Sequence, residues 1–236
     1  MADLSRGAGR VVAVPLAALA SRRNGKPMHP RGAVFHGVLE RHGGDRPWGV
    51  SFLDATARDD VVVRLSRGIG LPASLPDLLG LAVRLDGPHG PVDLLLSTTG
   101  RGALTRLVPA LRRDTASFYC SIMGYSSAAG PIRLAALPTG DRVPSDPGEL
   151  AGAVRGRPLV FVLAAARGRG PWRPFARLEI GHVAQPLDPE LRFNAVLHPP
   201  ADLVPDGPMA RFRAPAYVAA QEARDGSVGR SGREPR

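Results

Sequence analysis

The hydrophobic pattern of the chain changes character at Arg31. Before it, residues 11–20 (VVAVPLAALA) form a short apolar run flanked by Arg6, Arg10 and Ser21, the outline of a secretory signal. Pro15 interrupts the run and Asp3 sits where a positive region belongs. The pattern therefore predicts an arm or amphipathic helix over 1–26 that packs on the domain, with a turn at Asn24-Gly25. After Arg31, short segments rich in Val, Leu and Phe alternate with Gly, Asp and Arg at 33–39, 48–53, 61–65, 81–85 and 92–96. These are strand candidates with no helical period between them. They predict an antiparallel barrel or sandwich rather than a βαβ sheet.

The second half is less regular. Leu104, Leu107 and Leu111 have a helical spacing that Pro109 breaks, and 118–126 fits either period. A strand is predicted at 132–137, a Pro/Gly/Asp loop at 138–148 and a helical turn at 149–154. The segment 159–164 carries the strongest buried-strand signal, and 176–180 and 193–197 follow as strands. Residues 199–208 read as a proline-rich loop, 214–224 as a helix, and 226–236 as a disordered polar tail. The whole is one domain over 27–225, of α+β class, built on an antiparallel β-barrel with flanking helices.

Composition narrows the function classes. The chain has 236 residues, 44% of them hydrophobic, which is enough for a substantial core. No run approaches the 18 to 20 apolar residues of a membrane span, so no membrane partner is expected. The net charge is +10, but Lys26 is the single lysine and the arginines are scattered. That pattern fits a GC-rich coding sequence and a solvated basic surface better than a nucleic-acid site. The alternative, a polyanion-binding surface, predicts salt-dependent retention on heparin. One cysteine, Cys120, excludes an internal disulfide and a thiolate cluster; among Phe118, Tyr119 and Met123 it reads as a buried thiol in a cytoplasmic protein. The remaining histidines, His36, His42, His89, His182 and His198, lack metal-ligand spacing.

Three segments carry chemistry. The first is Met28-His29-Pro30-Arg31-Gly32-Ala33-Val34-Phe35-His36-Gly37, a histidine just ahead of a glycine-marked strand. The second is Val63-Arg64-Leu65-Ser66, and the third Asp77-Leu78-Leu79-Gly80-Leu81-Ala82-Val83-Arg84-Leu85. In this order they resemble the haem catalases, whose segments read Val-His-Ala-Lys-Gly-Ala-Gly-Ala-Phe-Gly, Val-Arg-Phe-Ser and Asp-x-Arg-Gly-Phe-Ala-Val-Lys-Phe. Towards the C-terminus, Arg213, Tyr217 and Arg224 keep the family's spacing around its iron-ligating tyrosine. In size the chain looks like the minimal catalase-related peroxidases.

The resemblance implies a catalase-like barrel, haem b as cofactor and a small-molecule peroxide as substrate. It implies that Tyr217 ligates the iron, with Arg213 one helical turn away favouring the ionised phenol. His29 falls on the distal acid–base histidine and Ser66 on the serine that hydrogen-bonds it. Arg64 and Arg224 fall on haem-contacting arginines, and Lys26 stands where another propionate-binding arginine is found. The family assembles through its N-terminal arm, which implies a homodimer here. Two departures stand out. Ser97 replaces the distal asparagine, and the phenylalanine-rich haem lining is absent around 101–112. They favour peroxidase-like chemistry over efficient dismutation. Their extreme is a second function class, a catalase-fold module that binds without haem chemistry.

Overall fold

The computed structural model of the chain describes residues 29–207. The expected arm, the 214–224 helix, the tail, and the candidate residues Lys26, Arg213, Tyr217 and Arg224 lie outside the described residues. In chain order the elements are β1 (Arg31–His42), α1 (Ser51–Asp54), β2 (Thr56–Arg67), β3 (Asp77–Gly87) and β4 (Gly90–Thr98). A 3-10 turn (Thr105–Leu107), β5 (Leu111–Arg112), β6 (Tyr119–Cys120), β7 (Gly124–Ser126) and β8 (Ile132–Pro138) follow. The last elements are α2 (Pro147–Gly156), β9 (Leu159–Arg167), β10 (Arg173–Val183) and β11 (Val204–Asp206).

Eight strands close a barrel in the order β1-β2-β3-β4-β6-β8-β9-β10, with β10 pairing back onto β1. All pairings are antiparallel, as expected where each strand returns through a short connection. Closure removes the free edges that a long open sheet would expose. The strand period of two sorts the side chains: Ala33, Phe35, Val63, Leu81, Leu96 and Phe161 enter one shared core, while their neighbours face outward. At the β1–β10 seam the register shifts between His36 and Gly37, and a β-carbon on Gly37 would meet the Glu179 carbonyl oxygen at 2.2 Å. Only glycine fits that bulge.

One end of the barrel is fastened by an ion pair. Arg67 and Asp77, both fully buried, meet at 3.5 Å. The Asp77 carboxylate also accepts the N–H groups of Ile69, Gly70, Leu71 and Leu78. Arg67 donates to the Pro72 and Leu75 carbonyls. The loop between β2 and β3 is therefore wrapped around two buried opposite charges.

Two strand expectations fail, both for local reasons. Over 48–53 the chain forms a loop and the single turn α1, because the Asp54 carboxylate gathers the N–H groups of Trp48, Gly49 and Val50. Over 193–197 the Asn194 side-chain oxygen accepts from Val196 and Leu197, bending the chain into a turn. The helical spacing at Leu104, Leu107 and Leu111 gives one 3-10 turn, and all three leucines are exposed.

Candidate functional site

The described candidates meet on the outer face of the barrel. Following the register, Gly32 lies opposite Ser66, Ser66 opposite Gly80, Gly80 opposite Ser97, and Ser97 opposite Cys120. The row continues to Ala135 and Ala164. Their sequence neighbours Ala33, Leu65, Leu81, Leu96 and Tyr119 all belong to the core, so the row itself faces outward. Seven consecutive small residues make a low shelf across strands that elsewhere carry larger side chains.

His29 is laid onto this shelf. Its backbone has φ 60°, a left-handed conformation uncommon for a residue with a side chain. Its N–H donates to the Gly68 carbonyl at 2.9 Å. The ring then reaches over Gly80, where Nδ1 lies 2.9 Å from Ser66 Oγ. A β-carbon on Gly80 would come within 2.6 Å of the ring Cε1, and one on Gly68 within 3.1 Å. Both glycines are therefore needed for the imidazole to lie where it does. Strain concentrated at a histidine on an open shelf is the kind of backbone outlier that accompanies a functional site.

Arg64 stands two residues along β2 from Ser66, on the same face as the row and opposite Val34. Its Nε and Nη2 grip the Asp188 carboxylate at 2.8 and 2.9 Å, and Nη2 also reaches the His29 carbonyl at 3.2 Å. Asp188 Oδ2 in turn accepts from the Gly32 N–H at 3.0 Å. The segment that brings Asp188 here pairs with β1 through Val34, with the Val34 N–H donating to Leu187 and the Ala184 N–H to Val34. Arg64 thus holds the main chain of His29 and is itself held by a carboxylate. Asp188 was not predicted. An acidic residue 124 positions away in a loop gives no sequence signal.

Ser97 is half-buried on the shelf beside Gly80, and its hydroxyl has no hydrogen-bond partner among the described residues. Beyond it, Cys120 is fully buried, and burial pushes its thiol up from the ordinary range although Arg133 and Arg106 lie nearby. The thiol stays neutral at pH 7, which suits a packing role. Tyr119, on the core side, has its phenol pushed up by burial and donates to the Thr115 carbonyl at 2.9 Å. Where a phenylalanine-rich lining was absent from the sequence, Phe118 and Trp172 form a ring pair with centroids 5.5 Å apart. The shelf therefore joins His29, Ser66, Ser97 and the backbone support from Arg64.

A closed eight-stranded antiparallel barrel with this topology is the catalase-like fold. The chain superposes on catalase A from Saccharomyces cerevisiae with a TM-score of 0.59 and 11% identity over 87% of its length. A bacterial catalase gives 0.59 and 11% over 93%, and a fungal catalase 0.56 and 11% over 87%. The chain covers 62%, 62% and 61% of those three proteins. No protein-family model and no curated protein matches the sequence.

Proposed function

We propose that the protein is a haem-dependent enzyme that consumes hydrogen peroxide or an organic hydroperoxide, with peroxidase-like turnover rather than efficient dismutation. The observation that carries this reading is the His29 imidazole, held by Ser66 over a glycine-floored shelf. Small residues at Gly32, Ser66, Gly80 and Ser97 leave room for a flat macrocycle beside the strained histidine, while Cys120 further along lies covered by Phe118 and Trp172.

Tyr217 would ligate the iron, with Arg213 favouring its phenolate; Lys26 would meet a propionate and Arg224 would contact the haem. The haem, when bound, supplies the redox-active iron and the electrons for O–O cleavage. The work of the chain is proton handling. With Nδ1–H donating to Ser66 Oγ, Nε2 takes the proton of the incoming hydroperoxide and returns it to the departing oxygen. Ser97 offers one hydroxyl donor beside the imidazole, a shorter and single-pronged group compared with an amide. That difference favours slow, peroxidase-like turnover. A homodimer joined through residues 1–26 and a cytoplasmic location belong to the same reading.

An absorption spectrum of protein purified from cells supplied with a haem precursor tests it. A Soret band with a high-spin ferric, tyrosinate-type visible spectrum is expected. Tyr217→Phe should lose haem, whereas His29→Ala should keep haem and lose peroxide turnover. Unchanged haem content in Tyr217→Phe would sink the ligand assignment. A second reading rests on the Arg64–Asp188 pair: a propionate would have to compete with a carboxylate already gripped through two nitrogens. If the purified protein is colourless and takes up no added hemin, a binding module on the same barrel becomes the better reading.

A further inference from the structure

Past Cys120 the outer face of the barrel carries two arginines that no carboxylate among the described residues neutralises. Arg106, in the 3-10 turn, is 3% exposed. Its Nη2 donates to the Gly170 carbonyl at 2.9 Å, its Nε to the Gly102 carbonyl at 3.3 Å, and its guanidinium lies 4.3 Å from the Trp172 ring centre. Its Nη1 is buried without a hydrogen-bond partner among the described residues. Arg133, on β8 between the core residues Ile132 and Leu134, is turned to the same outer face. Its Nε is also buried without a partner. No ion pair joins either guanidinium to an acidic group among the described residues.

This arrangement is costly as it stands. A buried donor without an acceptor costs about 1–3 kcal/mol, and more when it is charged. Two like charges that share a low-dielectric region add to the cost. Burial, with Arg133 nearby, pulls the Arg106 guanidinium below its ordinary range. Cys120, the ionisable group close to both, does not supply the missing charge, because burial keeps its thiol protonated. An anion held between the two guanidinium groups would give each orphaned N–H an acceptor.

We propose that Arg106 and Arg133 form an anion site for the carboxylate of a small organic acid. The organic part follows from what stands beside the donors. Trp172 covers Arg106, Phe118 packs on Trp172, and Ala135 and Cys120 form the floor. Trp172 and Arg133 are both only partly buried, so each is reachable from solvent. A ring or short chain would lie against the aromatic pair while its carboxylate meets the arginines. The site depends on neither His29 nor Tyr217.

The test uses the haem-free full chain at constant ionic strength, titrated with benzoate, acetate and phosphate against a chloride control. Trp172 reports by fluorescence, since the other tryptophan, Trp48, is buried at 1% exposure in the core. A saturable change with benzoate is expected, absent in Trp172→Phe and at least about tenfold weaker in Arg133→Gln. Tyr217→Phe should bind benzoate unchanged, which separates this site from the haem reading. Arg133 is half-exposed, so its replacement leaves the barrel foldable, and circular dichroism verifies this. Saturation by phosphate but not benzoate overturns the carboxylate assignment. No saturable response in the parent chain, or an equal response in Arg133→Gln, overturns the site.

Discussion

Gly80 has no side chain because the His29 imidazole takes that space. Gly80→Ala would put a methyl 2.6 Å from ring Cε1 and 2.8 Å from both Nδ1 and Ser66 Oγ. The ring has to move, since the opposite side of Gly80 is strand backbone. We expect a modest stability loss of roughly 1–3 kcal/mol, typical of overpacking, and a much larger fall in peroxide turnover with haem content retained. Full turnover in Gly80→Ala would show that the imidazole acts elsewhere. A second expectation concerns alkaline pH. Burial pushes both the Tyr119 phenol and the Cys120 thiol up. The unfolded chain ionises the thiol at about pH 8.5 and the phenol at about pH 10, whereas the folded chain keeps both neutral. Their stabilising effect is complete below those values and is lost as pH rises, by up to about 1.4 kcal/mol per pH unit for each group. Denaturant melts between pH 7 and 11 should show this slope. Tyr119→Phe should flatten its upper part while costing the hydrogen bond to Thr115.

The loop from β2 to β3 connects two charges to the site. Asp77 holds four backbone N–H groups and Arg67, and the same loop presents the Gly68 carbonyl to the His29 N–H. Asp77→Asn strands a fully buried guanidinium, which costs about 3–5 kcal/mol. It should lower the thermal midpoint sharply and broaden the signal of His29 more than signals on the far side of the barrel. The sequence foretold most of this scaffold. Alternation over 33–39, 61–65, 81–85 and 92–96 is a direct print of the barrel's two faces, and β8, β9 and β10 were visible for the same reason. The failures at 48–53 and 193–197 share one cause. Asp54 and Asn194 capture main-chain N–H groups across a few residues, which an apolar period does not register. Of the described candidates, His29, Arg64 and Ser66 were singled out because they fall on a family pattern, and Ser97 because it departs from one; the structure brings His29 and Ser66 into contact. Asp188, Arg106 and Arg133 were not legible, because their meaning lies in partners, present or missing, that only the folded chain brings near.

At the scale of the molecule, closure divides the work. The inner face, sealed by β10 returning to β1, carries the core, so the outer face is free to hold small residues without loss of stability. The barrel keeps a catalase-like architecture at 11% identity. It also separates fold from chemistry in an experiment. A chain cut to residues 29–207 retains every strand of the closed barrel and the His29–Ser66 pair, but lacks Lys26, Arg213, Tyr217 and Arg224. We expect it to show a β-type circular dichroism spectrum and one cooperative thermal transition, because it keeps every core residue of the described chain. It should bind no haem when supplied with hemin. If the fragment folds and also takes up hemin with the spectrum of the full chain, the iron ligand lies on the barrel and Tyr217 is not it. If it folds and stays colourless while the full chain is coloured, the residues beyond the barrel carry the cofactor, and the shelf supplies the face on which peroxide is handled.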